Sequence, residues 1–401
     1  MNEPKIRFKG FQGEWETHAL SEYFKKVCDK NTKMECTIVL TNSAEHGIIP
    51  QNDFFDHAIA NNKNIGGYYI VSPDDFVYNP RVSVTAPVGP INRSLLDFQG
   101  VMSPLYLVFK INAINKDYLN IFYKTNKWHT FMKLEGNCGA RFDRLSISDD
   151  QFVKMPLTHP KDHSEQQSIA SYFQHLDALI QSTTKKIESL KQVKAASLQS
   201  MFPQEGATTP RVRFKGFEGE WEKVRASNVF KTFNEKNRPD LPVLSATQDR
   251  GMVTREAIGY NIFHDKSNEA TYKHILPGQF IIHLRSFQGG FAHSSIEGIA
   301  SPAYTIMEFK DKTRHFDLYW KYIFMSKEFI KRLELITYGI RDGRSISFEE
   351  FSEMYFTVPS YEEQKKIASY ITTLDRQITL QTQRLEKLKQ IKAACLDNMF
   401  V

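Results

Sequence analysis

The chain is poor in cysteine and has no long apolar run. Its 401 residues include only four cysteines. Cys28, Cys36, Cys138 and Cys395 form neither a Cys-x-x-Cys pair nor a spacing typical of metal sites, so we expect reduced thiols and no bound metal. No run approaches the roughly 18 apolar residues of a membrane helix. The first residues carry no apolar stretch behind a basic start, so we expect a cytoplasmic protein without a secretory signal.

Motifs of several enzyme classes are also missing. A phosphate-binding Gly-x4-Gly-Lys-Ser/Thr loop is absent. Tyr78-Asn79-Pro80-Arg81 departs from the Asn-Pro-Pro-aromatic motif of adenine methyltransferases at Arg81, and no glycine-rich cofactor loop precedes it. His159 and His163 have a ligand-like spacing, but Pro160 lies between them and no further ligand is evident. We therefore expect a non-catalytic protein without a cofactor.

A repeated frame is what the sequence does have. PKIRFKGFQGEWE (residues 4–16) returns as PRVRFKGFEGEWE (residues 210–222), and ESLKQVKAASLQSMF (residues 188–202) returns as EKLKQIKAACLDNMF (residues 386–400). The period of about 200 residues is far longer than that of solenoid repeats. Between the repeated ends the two copies diverge. The pattern indicates one scaffold that presents two different binding surfaces, and the net charge of +6 permits a polyanionic partner.

Each copy is predicted to contain a domain followed by a long helix. Short apolar runs bounded by Gly, Pro, Asn and Asp predict strands of an α+β domain. Apolar spacing predicts one helix in each domain, over residues 118–134 and 318–333. Trp15 and Trp221 are predicted to anchor the domains by packing. The predicted domains are 1–161 and 206–359, the central helix with its hinge is 162–205, and the C-terminal helix is 360–401.

The two long helices are predicted to pair with each other. Capping-box patterns, Asp162-x-x-Glu165 and Ser360-x-x-Glu363, mark their starts. A helix of about 38 residues is about 57 Å long, and its near-heptad apolar stripe needs a cover. We expect an antiparallel coiled-coil rod about a pseudo-twofold axis, with one domain at either end. The predicted packing and partner-docking residues are Ile169, Tyr172, Leu176, Leu179, Ile187, Leu190, Ile367, Tyr370, Leu374, Ile378, Leu385 and Leu388.

Three repeated motifs carry a family resemblance. FKGF-x-GEWE opens each half, EQQSIASYFQHLD and EQKKIASYITTLD (from Glu165 and Glu363) begin the helices, and LKQ-x-KAA-x-L-x-x-MF ends them. Over essentially its whole length the chain resembles the specificity subunit of type I restriction–modification enzymes. The resemblance implies two target-recognition domains that each read half of a split site in double-stranded DNA. It also implies helices that space the domains and dock two adenine-N6 methyltransferase subunits, with restriction–translocase subunits joining the complex. The specificity subunit has no chemistry of its own.

Candidate DNA-binding residues lie in matching places of the two copies. Base readout needs donors such as Arg, Asn and Gln. Arg81 and Arg285 each follow an apolar strand, and the polar loops 42–47 and 245–251 are equivalent. An ion pair with a local carboxylate such as Asp143 is the alternative for each arginine. The candidates are Asn42, Asn79, Arg81, Arg141, Arg144, Gln248, Arg250, Arg285, Arg341 and Arg344.

Two hypotheses of different classes remain open from the sequence. The first is a non-catalytic DNA reader that binds a bipartite asymmetric site and positions methyltransferases over it. The second is a structural or interaction module that spaces two protein ligands on a helical rod. Neighbouring genes for a methyltransferase and an ATP-dependent nuclease would favour the first.

Overall fold

In the computed structural model, the chain forms two compact units. Unit 1 comprises residues 1–184 and 383–401, and unit 2 comprises residues 185–382. The structure describes residues 2–53, 62–137, 143–204, 206–247, 250–258, 266–283, 290–336 and 346–401. Both units combine short antiparallel strands with helices, so the predicted α+β class with two sheet-rich domains is confirmed.

The elements of the first half end with a 38-residue helix. In chain order they are β1 (Glu16–Ala19), β2 (Phe24–Lys26), β3 (Leu40–Ser43), β4 (Gly47–Pro50), β5 (Tyr69–Val71), β6 (Phe76–Tyr78), β7 (Ile91–Arg93), β8 (Gly100–Met102), β9 (Leu107–Ile111), α1 (Lys116–Phe122), α2 (His129–Glu135), α3 (Asp149–Phe152), β10 (Pro156–His159) and α4 (His163–Ser200).

The second half has the same plan and also ends with a 38-residue helix. Its elements are β11 (Glu222–Arg225), α5 (Ala226–Val229), β12 (Phe230–Phe233), β13 (Leu244–Thr247), β14 (Gly251–Thr254), β15 (Lys273–Ile275), β16 (Phe280–Ile282), β17 (Phe291–His293), β18 (Gly298–Ala300), β19 (Thr305–Phe309), α6 (Asp317–Phe324), α7 (Lys327–Ile336), α8 (Phe348–Ser352), β20 (Tyr355–Val358) and α9 (Tyr361–Asn398).

The strand order is the same in the two units. Unit 1 has a four-stranded antiparallel sheet of order β2-β9-β6-β7 and the pairs β1-β10, β3-β4 and β5-β8. Unit 2 has a sheet of order β12-β19-β16-β17 and the pairs β11-β20, β13-β14 and β15-β18. The likeness of the two copies therefore extends from the repeated motifs to the divergent parts of the sequence.

Each four-stranded sheet has an apolar layer on both faces. Because side chains alternate along a strand, Phe76 and Phe109 of unit 1 join the core formed with α1 to α3. Their chain neighbours Val77 and Val108 join a second core with Leu40. Unit 2 repeats this division between its two cores. A sheet covered on both faces gives the loops at its ends a rigid base.

The prediction of a single helix in each domain is wrong, because two shorter helices occupy each of the predicted segments. Residues 118–134 fall in α1 and α2, and residues 318–333 fall in α6 and α7. In unit 1 the Thr125 hydroxyl donates to the carbonyl oxygen of Phe122 at 2.7 Å, and the Thr125 N–H donates to the same oxygen at 2.9 Å. Such local bonds replace the regular helical pattern and end the first helix.

An arginine–glutamate pair fastens the amino-terminal segment of each copy to its long helix. Arg7 donates two hydrogen bonds to Glu165, at 2.7 and 2.8 Å, and a third to the carbonyl oxygen of Gly13 at 2.6 Å. The bond to Glu165 raises the pKa of Arg7 above its ordinary value. Arg213 makes the matching bonds to Glu363 and Gly219. The capping boxes predicted for the two glutamates are not formed, because their carboxylates accept from these arginines instead.

The two tryptophans pack as predicted. Trp15 and Trp221 are buried. Trp15 lies edge-on to Tyr118 and Trp221 lies edge-on to Tyr319, with ring centroids 6.3 and 6.4 Å apart. The predicted packing of both tryptophans is therefore confirmed.

Within unit 1, the start of α4 and the end of α9 run antiparallel. The Tyr172 hydroxyl lies 3.6 Å from the Cys395 sulfur. Further along α4 and further back along α9, Asp177 forms an ion pair with Lys392. Phe400 joins the same core, where its ring lies 5.5 Å from that of Tyr118.

Unit 2 has the equivalent arrangement. Lys194 near the end of α4 pairs with Asp375 of α9. Phe202 stacks on Tyr319 at 5.4 Å. The end of α4 thus completes the core of unit 2, as the end of α9 completes that of unit 1.

The predicted apolar stripe of the helices is only partly buried. Leu179 and Tyr370 are 41% and 37% exposed, and the Tyr370 ring lies edge-on to that of Phe214, with the centroids 5.9 Å apart. Phe173 and Ile371, which the stripe omits, are fully buried. The first turns of each helix lie on a domain, which selects a different face from a coiled-coil seam. The remaining stripe residues are buried or half-buried, namely Ile169, Leu176, Ile187, Ile367 and Leu374, and Tyr172, Leu190, Ile378, Leu385 and Leu388.

Loss of one arginine should destabilise one unit only. Arg7→Met leaves the buried Glu165 carboxylate uncompensated, which costs about 3 kcal/mol. Hydrogen–deuterium exchange should then accelerate at residues 2–17 and at the start of α4, and not at residues 208–225. Lys9→Met is the control, because it removes the same charge from an exposed position of the same segment. Equal effects of the two substitutions would contradict the role of the pair.

Candidate nucleic-acid interface

Two predicted arginines of unit 1 lie directly opposite each other. Arg81 and Arg144 form an isolated antiparallel bridge. The N–H of Val82 donates to the carbonyl oxygen of Asp143 at 3.0 Å, and the N–H of Leu145 donates to that of Pro80 at 2.9 Å. These bonds make Arg81 and Arg144 a non-hydrogen-bonded pair, in which side chains lie closest and project from the same face.

This pairing places two positive charges side by side. Like charges directly opposite each other destabilise a strand pair. The Arg81 side chain is 65% exposed, and its Nη2 atom is 4.0 Å from Asp143 Oδ2, at the outer limit of an ion pair. A surface-exposed pair like this contributes little stability. The arrangement is suited to an external anion such as a phosphate, or to the acceptor atoms of guanine.

Asn79 supports the loop that carries Arg81. Its Oδ1 accepts from the N–H of Arg81 at 3.0 Å, and its Nδ2 donates to the carbonyl oxygen of Asn42 at 2.9 Å. Gly89 lies against the same residue, because a Cβ there would be 2.0 Å from the Asn79 carbonyl oxygen. Both ends of the Asn79 amide are thus engaged within the protein, and the residue orients the Arg81 backbone.

Asn42 is not available to a ligand in this structure. The predicted loop 42–47 is a tight hairpin, and Asn42 belongs to strand β3 with only 2% of its surface exposed. Its Nδ2 donates to the carbonyl oxygens of Val77 and Pro90, at 2.7 and 3.3 Å. Its Oδ1 accepts from Asn92 Nδ2 at 2.6 Å. Asn42 therefore fixes the hairpin to β6 and β7.

The sequence analysis missed Asn92 and Lys124, which complete this polar network. Asn92 is buried and also donates to the carbonyl oxygen of Ser43 at 3.0 Å. Lys124, after α1, contacts Asn92 Oδ1. Their partners are distant in sequence, so no local pattern marks them. Alternation along β7, which buries Ile91 on the opposite face from Asn92, is the one signal that points to an inward polar residue.

Arg250 lies at the tip of the equivalent hairpin in unit 2. The Thr247 hydroxyl accepts from the N–H of Arg250 at 3.2 Å, as the Ser43 hydroxyl accepts from that of His46 at 3.2 Å. The Arg250 side chain is exposed, and within the described residues its Nη1 donates one long bond to the carbonyl oxygen of Ala257 at 3.4 Å. Its position therefore suits an external partner. Gln248, Arg285, Arg341 and Arg344 of unit 2, and Arg141 of unit 1, lie outside the described residues.

The part of the chain that the structure describes holds no cluster of three or more His, Cys, Asp or Glu that could bind a metal. Over the same residues, no helix is both long and apolar enough to cross a membrane.

The second half of the chain matches a known family. Residues 218–390 match the model of the type I restriction modification DNA specificity domain. Among curated protein sequences, none matches the chain significantly. The resemblance that the repeated motifs carry is therefore confirmed for unit 2 by an independent comparison.

Solved structures of specificity subunits share the fold over nearly the whole chain. The chain is similar to the S subunit of a type I restriction–modification system from M. genitalium, with 11% identity and a TM-score of 0.57 over 100% of this chain and 99% of that one. The HsdS subunit from Thermoanaerobacter tengcongensis gives 16% identity and a TM-score of 0.50 over 96% of each chain. A chain from a study of complex assembly and conformational transition of the type I R-M system gives 15% identity and 0.51, covering 96% and 97%. At these identities the likeness concerns the fold.

Repulsion between Arg81 and Arg144 should lower the free energy of unfolding of the protein when no ligand is bound. Arg81→Gln removes the repulsion and should raise the free energy of unfolding by about 0.2–1 kcal/mol. Arg93→Gln is the matched control, because Arg93 bonds to Asp74 and Asp117 within the protein. The free energy of unfolding of Arg93→Gln should fall by about 1.5–3 kcal/mol, which is the contribution of hydrogen bonds to a charged group. Urea unfolding measures both, and a loss of stability in Arg81→Gln would show that Arg81 is a structural ion-pair partner.

Proposed function

We propose that this chain is the DNA-reading specificity subunit of a type I restriction–modification complex. Unit 1 recognises one half of a bipartite asymmetric site in double-stranded DNA, and unit 2 recognises the other half. The chain has no catalytic role. It positions two adenine-N6 methyltransferase subunits, which act on flipped adenines, and restriction–translocase subunits join the complex.

The observation that carries this proposal is one frame used twice with different surfaces. The two units have the same strand order, and both have the same hydroxyl-capped hairpin turn. Gly47 and Gly251 even share a φ of +71° in that turn. The residue displayed before each glycine differs, histidine in unit 1 and arginine in unit 2. A constant scaffold with different displayed residues is what two unlike half-sites require.

The arginine pair of unit 1 supports DNA as the ligand. Arg81 and Arg144 project from one face, and among the described residues the carboxylate that pairs with Arg81 is that of Asp143, at 4.0 Å. A bidentate arginine is the commonest specific contact to guanine, and a second arginine can bind the adjacent phosphate. The predicted readers Arg141, Gln248, Arg285, Arg341 and Arg344 are included in this proposal.

The long helices are proposed to set the distance between the half-sites. The antiparallel contacts of α4 with α9 within each unit support a continuous antiparallel rod with pseudo-twofold symmetry. In this arrangement the target-recognition domains are residues 1–161 and 206–359, and 162–205 and 360–401 are the helices. Protein geometry then fixes the half-site spacing, as it does in dimeric repressors. Exposed apolar residues of the helices, such as Leu179, are left for the partner subunits.

Methylation mapping tests the proposal. The chain is co-expressed with its cognate methyltransferase subunit, and N6-methyladenine is mapped over the host genome. We expect one split, asymmetric motif with one methylated adenine in each half. Arg81→Gln should relax the specificity of one half only, while Lys154→Gln, at an exposed position of the same unit, should change neither half. If no split motif is methylated, the proposal is wrong.

A fragment of residues 1–206 should self-associate. It lacks Phe400, whose ring lies 5.5–6.3 Å from those of Tyr118, Phe122 and Phe173. The fragment retains Phe202, which fills the equivalent place in unit 2. Two copies can therefore exchange helix ends and complete both cores, and the dimer should bind a palindrome built from the first half-site.

Light scattering of the purified fragment measures this association. Phe202→Asp within the fragment should give a monomer, because a carboxylate does not enter the apolar core. A soluble and strictly monomeric 1–206 fragment would count against the antiparallel helix pair.

A further inference from the structure

A tight turn beside Arg81 displays one apolar side chain to solvent. The N–H of Ser83 donates to the carbonyl oxygen of Ala86 at 3.0 Å, and the N–H of Ala86 donates to that of Ser83 at 3.2 Å. The Ser83 hydroxyl accepts a further bond from the Ala86 N–H at 3.1 Å. Val84 lies at the tip and is fully exposed, more than any other large apolar residue among those described.

The base of this turn is held by the core of unit 1. Val88 and Ala86 are buried, and Val82 packs against the same core. The next turn closes from the Gly89 N–H to the Ala86 carbonyl oxygen at 3.1 Å. Every second residue from Val82 to Val88 is apolar, and all of these residues except Val84 are buried or half-buried. The turn therefore projects Val84 from a packed base.

An apolar tip close in sequence to the exposed Arg81 is complementary to base edges in the major groove, which present both hydrogen-bond acceptors and methyl groups. An arginine binds the acceptors of guanine, and an apolar side chain contacts the 5-methyl group of thymine. Single exposed apolar residues are common and need no explanation by themselves. Here the valine stands three residues after Arg81, on a turn that two backbone hydrogen bonds close, so little conformational entropy opposes a contact.

We propose that Val84 is a specificity-determining residue that contacts the methyl group of one thymine in the half-site read by unit 1. This inference rests on the proposed DNA-reading function and adds a base type to it. The contact is apolar and releases no counterions, so its contribution should not depend on salt, unlike that of Arg81.

Thymine-to-deoxyuridine replacement tests the contact directly, since it removes only the methyl group. The full-length chain is assembled with its methyltransferase subunit, and its Kd is measured for duplexes of the mapped motif with each thymine replaced in turn. For the unsubstituted protein, one replacement should weaken binding about fourfold, the effect of exposing one methyl group. Val84→Ala should bind the thymine duplex about fourfold more weakly than the unsubstituted protein does. Its Kd should not rise further when that thymine is replaced by deoxyuridine.

Leu134→Ala is the matched control, because Leu134 is also an exposed apolar residue of unit 1 and lies at the end of α2. This variant should keep both the affinity and the deoxyuridine penalty. The inference is overturned if no replacement in the half-site read by unit 1 weakens binding, or if Val84→Ala retains the penalty. In those cases specific binding by the unsubstituted protein would leave the DNA-reading function standing. Absence of all specific binding would remove both proposals.

Discussion

The rest of each unit depends on one buried ion pair between an arginine near the start of the copy and a glutamate in the first turn of the long helix. Arg7 and Arg213 each also donate to a carbonyl oxygen of their own glycine turn, so one guanidinium joins the turn to the helix. The next helix residue completes the junction. Gln166 accepts from the N–H of Asn115 at 2.9 Å, and Gln364 accepts from that of Phe316 at 2.9 Å. Two consecutive polar side chains at the start of each long helix therefore bind it to its domain.

Much of this architecture could be predicted from the sequence, because the repeat marks which residues belong to the frame. Trp15 and Trp221 are buried as expected, and the two long helices are found within a few residues of the predicted bounds. The apolar pattern says less about which element covers each residue. Periodicity records that a residue is apolar and not what covers it, so the predicted stripe includes the 41% exposed Leu179 and omits the buried Phe173. The burial of Asn42 could not be predicted for a related reason. Its partners Val77, Pro90 and Asn92 are distant in the chain, and no local pattern distinguishes an asparagine in a strand from one in a loop.

The candidate surface is organised differently from the frame beneath it. The cores of both units are stabilised by apolar and aromatic packing. At the surface, backbone hydrogen bonds hold Arg81 and Arg144 opposite each other, although their like charges repel. The pairing lowers local stability but positions the two arginines before a ligand binds. The four-stranded sheet has apolar packing on both faces, and this packing offsets the small loss of stability caused by the arginine pair. Arrangements of this kind have no signature in a single sequence, because the pairing joins residues more than sixty positions apart.

The discontinuity of unit 1 has a consequence for biosynthesis. Its core includes Phe400, and the Ile6 N–H donates to the carbonyl oxygen of Asn398 at 3.0 Å, which joins the two ends of the sequence shown. Unit 2 is continuous from residue 185 to residue 382. Domains usually fold in the order in which the ribosome releases them. In this chain, residues 383–401 of unit 1 are synthesised only after all of unit 2. The first unit whose synthesis begins is therefore the last whose residues are all present, and until then its core lacks the Phe400 ring beside Tyr118.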